Sequence, residues 1–314
     1  MNKRDVVLDL LNPSRKPAYT PAAFFLHFDP IYHGGQAAVD KHLEYFHYTD
    51  MDFVKIQYER SFPRHPEIQR PEDWLKMPFY ELDFYEEQLK VVEGLVKAAK
   101  PEALVVLTLY SPFMCANQTA GEQVVSEHIR QDPEKVKAGL QVITDSLMGF
   151  VKACIRLGLD GFYTSTQGGE AGRLGDSALF QECVRPYDLA LMDEINNSCI
   201  FNILHVCDYH LPYRDLDQFV NYPGQVVSAG LELTGGKTTP KDVARLFDRP
   251  FFGGLDRLGM IARGSQSEVK QAVEQVLKQA PGRFILGADC TVPSDTSWDN
   301  LKLAISIAHG YQSW

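Results

Sequence analysis

The run CIFNILHVCDYH, residues 199–210, begins as a nearly unbroken apolar stretch and ends in ionisable groups. A short apolar run bounded by polar sequence reads as a strand buried on both faces, as in parallel sheets. Its first part, CIFNILHV (199–206), has seven counterparts: AAFFLHF (22–28), DFVKIQ (52–57), ALVVLTLY (103–110), DGFYTS (160–165), QVVSAG (225–230), PFFGGLD (250–256) and RFILGAD (283–289). Helical patterns separate them. FYEEQLKVVEGLVKAAK (84–100) repeats apolar residues at three and four and stops at Pro101. The stretch 132–159 opens on Asp132 and Pro133 and closes near Gly158, as helices do. TTPKDVARLF (238–247) and SQSEVKQAVEQVLKQA (265–280) behave alike.

Eight strands alternating with helices predict an α/β fold, a (β/α)8 TIM barrel with an N-terminal extension and inserted loops, in a single domain over 1–314. A doubly wound open sheet is the alternative, but it usually has fewer strands. The polar, irregular stretches 58–83 and 111–131 are expected to be lids or substrate-binding insertions.

The 314 residues carry a net charge of -10, with 45% hydrophobic and 23% charged side chains. That is ordinary globular composition, without the basic footprint of a nucleic-acid binder. Neither a signal peptide nor a membrane-spanning run is evident, and the six cysteines are scattered. A reducing, cytoplasmic setting is expected.

A barrel gathers its functional groups where strands end. His205 and Cys207, two apart on one strand, face the same way. Cys290, in RFILGADCTVP (283–293), ends the last strand and can meet them at the rim. One imidazole and two thiolates predict a catalytic Zn2+ site with a fourth position open. Such a sulfur-rich set suits activation of another thiol for alkyl transfer better than hydrolysis. Asp208 and His210 keep the following loop polar, and Cys115 is an outside candidate for the site.

Other strand ends offer further groups. Glu170 is read as a catalytic proton carrier or fourth ligand, with Tyr163, Ser165 and Gln167 beside it. His27 and Asp29 form a candidate carboxylate–histidine pair for acid–base work, with His33 just beyond. Asp256 is a second candidate acid–base group, and Arg257 could hold an anion. Glu232 is expected to contact substrate.

Several of these stretches carry a family likeness. LGLDGFYTSTQGGE, RPYDLALMDEI, NILHVCD, the GGLD before residue 257 and GRFILGADCTVPSDTSWDNLKLAI resemble the uroporphyrinogen decarboxylase superfamily along nearly the whole chain. The resemblance implies a (β/α)8 barrel. Decarboxylases of that family carry an arginine-bearing motif near the N-terminus. FFLHFDPIYHGGQAA stands in its place, without arginine. The zinc methyltransferase branch moves a methyl group between a corrinoid protein and coenzyme M or tetrahydrofolate. Its H-x-C and later Cys match His205, Cys207 and Cys290, although Asp208 replaces a frequent Gly. The resemblance implies a zinc-dependent methyltransferase. Its partners would be a methylated corrinoid protein or small-molecule methyl donor, with a homodimer left open. A metal-free decarboxylase using Asp29 or Asp256 with Arg257, and a non-catalytic ligand-binding barrel, are the rival expectations.

Overall fold

Seven parallel strands curl into one sheet, each hydrogen-bonded to the next in space. They are β1 (Phe53–Ile56), β2 (Leu104–Tyr110), β3 (Gly161–Thr166), β4 (Ile203–Val206) and β5 (Val226–Ala229) and, beyond a small antiparallel pair β6 (Glu232–Leu233) and β7 (Gly236–Lys237), β8 (Phe251–Leu255) and β9 (Phe284–Ala288). The computed structural model describes residues 2–311. Helices α1 (Lys3–Asp9), α2 (Gly35–Thr49), α3 (Glu86–Ala99), α4 (Pro112–Ala120), α5 (Glu122–Gln131), α6 (Pro133–Arg156), α7 (Ser177–Cys183), α8 (Arg185–Ser198), α9 (Pro240–Phe247), α10 (Met260–Arg263), α11 (Gln266–Gln279) and α12 (Trp298–Gly310) join and surround the sheet. The α/β barrel class read from the sequence is the one observed.

One of the eight expected strands is different. Residues 22–28 make a single parallel bridge, Ala22 to Leu286, and no ladder. They still close the ring: Ala23 N donates to Leu286 O on β9, and Asp52 N, just before β1, donates to Ala22 O. The next carbonyls find other donors. Tyr45 Oη serves Phe24 O, Val292 N serves Phe25 O, and Gln57 Nε2 serves Leu26 O. An extended segment satisfied this way needs no strand partner.

The stretch 111–131 also departs from expectation, folding as α4 and α5 rather than an irregular lid. Ser111 accepts from Met114 N and Pro112 takes the first helical position, a strong start signal within a polar sequence. Gly121, at φ 102°, makes the corner between the two helices.

Helix α6 is long and apolar enough, by length and composition alone, to cross a membrane. Here its apolar side, including Val136, Leu140, Ile143, Leu147 and Phe150, is buried against the protein. Inside the barrel, Phe25, Phe53, Phe201 and Phe252 meet edge to face at 5.7–5.8 Å. These rings plug the barrel, and the C-terminal strand ends open onto a cavity beside them.

Candidate metal centre

Parallel register sets the site. His205 on β4 pairs with Ser165 on β3 and Ser228 on β5, placing its ring among short polar side chains. Its Nδ1 lies 3.3 Å from Ser228 Oγ. Its Nε2 is buried and has no hydrogen-bond partner. A buried, unpaired ring nitrogen is costly unless something ligates it. The Tyr163 ring stacks on the imidazole at 4.7 Å and fixes its plane.

Cys207 follows two residues later, and Cys290 comes from the loop after β9. The ligand atoms of His205, Cys207 and Cys290 all lie within 4.8 Å of one another. Gln167 Nε2 donates to Cys207 Sγ at 3.5 Å. A hydrogen bond shared by the two thiols holds Cys290 well below the usual thiol range. The same bond, together with burial, pushes Cys207 up. Two thiol sulfurs and an unpaired imidazole nitrogen fit a zinc ion with one position left for another ligand. The hydroxyl on Nδ1 is the supporting contact that ligating histidines usually have.

The three residues line a cavity of about 700 Å³ together with His27, Tyr163, Gln167 and Arg257 from the sequence-derived set. The Arg257 guanidinium lies 4.2 Å from the Tyr209 ring centroid, and its backbone N–H is accepted by Asp289 at 2.9 Å. Burial raises Asp289 to about 6 and also raises Asp208. Gly230 leaves room for the Asp208 carboxylate, which a Cβ at that position would strike.

Four other candidates lie elsewhere. Glu170 is buried, accepts from Gly168 N, and pairs with Arg173 at 3.0 Å, so it organises the loop after β3. Asp29 is exposed and caps the 3-10 turn at Pro30–Tyr32. Asp256 is exposed and accepts from Leu258 N. Glu232 is exposed and pairs with Lys237 across the small hairpin. None of the four lines the cavity. Cys115 is buried in α4, where burial pushes its thiol up, and it too is off the cavity wall.

Sequence reasoning missed one pairing and several residues of the wall. His27 pairs not with Asp29 but with Glu59, at 3.0 Å, from the segment after β1. Asn117 on α4 lines the cavity with both side-chain polar atoms unpaired. Lys55 reaches in from β1. A lysine amid the apolar residues of DFVKIQ was the available signal for it.

Fold and site together define a parallel α/β barrel with a soft-ligand cluster at the C-terminal ends of its strands. The chain belongs to the uroporphyrinogen decarboxylase (URO-D) family, whose pattern matches residues 51–311. It is 24% identical over 201 residues to a methylated-thiol–coenzyme M methyltransferase of Methanosarcina mazei, a match covering 63% of this chain and 51% of that protein. The chain therefore spans about half the length of that relative. Its fold is similar to that of a methyltransferase from Methanosarcina mazei, with a TM-score of 0.79, 13% identity and coverage of 99% of this chain and 98% of the other. It is also similar to a B12-independent methionine synthase from Shewanella sp. W3-18-1, with a TM-score of 0.57, 11% identity and 94% of both chains covered.

Proposed function

We propose that this protein is a zinc-dependent methyltransferase that moves a methyl group onto a thiol. The observation that carries the reading is the convergence of His205, Cys207 and Cys290 on one point of the cavity, with His205 Nε2 unpaired. Zinc held there would keep an acceptor thiol deprotonated and nucleophilic near neutral pH. The named activity of the Methanosarcina mazei relative supports a thiol acceptor. A methylated corrinoid protein, or a small-molecule donor, would supply the methyl group, with tetrahydrofolate the other acceptor the family resemblance allows.

The chain's own residues divide the remaining work. Ser228 and Tyr163 hold the imidazole in place. Gln167 contributes a hydrogen bond to Cys207 Sγ and tempers its charge. His27, Asn117 and Arg257 present donors to the body of the substrate. The rival decarboxylase reading relies on Asp29 or Asp256 with Arg257, and of these only Arg257 lines the cavity; the carboxylate that does line it, Glu122, is paired with Arg173 and His210.

Metal analysis of protein purified without added zinc should give close to one zinc per chain. Cys207→Ala and Cys290→Ala should each lose that zinc and lose methyl transfer from methylcobalamin to a thiol. Native protein that is metal-free as purified yet transfers methyl groups, with activity unaltered in both variants, would refute the reading.

A further inference from the structure

Lys55 has surroundings unusual for a lysine. It is 5% exposed, and Nζ donates to Gln57 Oε1 at 2.6 Å and Thr108 Oγ1 at 2.8 Å. Both acceptors are neutral. Among the described residues no carboxylate oxygen lies within ion-pair distance of it. The nearby Glu59 is engaged by His27 at 3.0 Å and His33 at 3.7 Å. The ring centroids of Phe25 and Tyr163 lie 4.6 and 4.7 Å from Nζ, and Tyr163 in turn stacks on His205. A buried amine without a counter-ion is strongly disfavoured as a cation. Lys55 nevertheless lines the same cavity as the three candidate ligands.

We infer that Lys55 is the proton acceptor for the thiol that enters the cavity; the inference rests on the methyl-transfer reading. As the thiol binds, its S–H bond breaks and sulfur keeps the electron pair. A new N–H bond forms on Lys55 Nζ, directly or by way of the Thr108 hydroxyl. The amine becomes an ammonium, held by Gln57 Oε1 and the faces of Phe25 and Tyr163. The sulfur then forms its bond to the methyl carbon with that electron pair as the bond between the methyl group and its donor breaks. The donor departs with the electrons of the broken bond, and the product is a neutral thioether. Lys55 returns the proton to solvent as the product leaves.

Other basic groups on the wall are less free. His27 is held by Glu59, and His210 is paired with Glu122 at 3.1 Å. Burial is what lowers Lys55, to about 7, while charge on Cys290, on Glu59 and on Cys207 opposes it. From α2, His42 also faces this region, and burial keeps it neutral at neutral pH.

The test uses zinc-loaded protein with lysines labelled with 13C at Cε. At pH 8 the Lys55 signal, identified by its loss in Lys55→Met, should sit at the free-amine position. Adding 2-mercaptoethanol should move it to the ammonium position. In weak buffer the native protein should release close to no protons per thiol bound. Lys55→Met and Lys55→Arg should each release close to one. An ammonium signal before thiol is added, or a full proton released by the native protein, overturns the inference. Failure of zinc to bind, seen by metal analysis, removes the methyl-transfer reading and this inference together. An unresponsive Lys55 in zinc-loaded protein removes this inference alone.

Discussion

At position 55 a basic side chain has a folded-state pKa of about 7, against an ordinary lysine value of 10.5. Burial is the cause, and it makes the position a source of instability that depends on pH. Above about pH 10.5 the amine is neutral in both folded and unfolded chains and nothing is lost. As the pH falls towards 7, the unfolded chain binds a proton that the folded chain refuses, so stability declines. Below 7 the deficit is complete. Lys55→Met keeps the stem and removes the amine, so it should stabilise the protein at pH 7 by about 1–4 kcal/mol. The gain should shrink steadily between pH 7 and 10, as measured by chemical denaturation at several pH values. A gain that is absent at pH 7, or that grows with pH, would contradict the burial argument. An interior lysine that lowers stability is the kind of residue retained for chemistry.

Among the elements, the barrel closes between β9 and β1 through the segment 22–28, which replaces a regular strand. Asp52 clasps it. One carboxylate oxygen accepts from Ala22 N at 2.7 Å and lies 2.8 Å from His309 Nε2 on α12, while the other accepts from Tyr19 Oη at 2.6 Å. Asp52→Ala should cost about 3 kcal/mol, since it strands a buried backbone donor and two side-chain donors. Amide exchange in residues 21–26 should speed up more than in β2 or β3, whereas uniform acceleration across the sheet would argue against a local clasp. The replaced strand also shows what a sequence conveys. AAFFLHF has the composition of a strand, and partners distant in sequence, the side chains of Tyr45 and Gln57 and the Val292 N–H, decide that its carbonyls are satisfied off the ladder. The seven true strands were legible because burial on both faces leaves an apolar run. His205, Cys207 and Cys290 were legible for a related reason: a barrel fixes where strand ends meet, so separation in sequence did not matter. Glu59 was not legible as the partner of His27, because pairing across two strand ends depends on loop geometry that local spacing does not encode. Asp29, two residues from His27, was a plausible partner by spacing alone, but its carboxylate accepts the Ile31 N–H instead.

Across the whole molecule, the candidate ligands join distant parts of the chain. His205 and Cys207 belong to the end of β4, while Cys290 follows β9, with β5 and β8 between them in the sheet. Zinc bound by all three would cross-link the mouth of the barrel and bind the folded chain far better than the unfolded one. Ligation of this kind adds stability as the logarithm of ligand concentration over its dissociation constant, about 4 kcal/mol at a thousand-fold excess. Removing zinc with a chelator should therefore lower the melting temperature by several degrees, and adding it back should restore the loss. Cys290→Ala should melt near the chelated native protein and gain little from zinc, because two remaining ligands on one strand cannot bridge the mouth. Amide exchange should locate the effect, with protection gained in 205–210 and 289–293 and little change in α3 or α6 on the barrel's outside. Zinc that stabilises native protein and Cys290→Ala equally would place the metal elsewhere, and the thiol-activating role assigned to this cluster would fail with it.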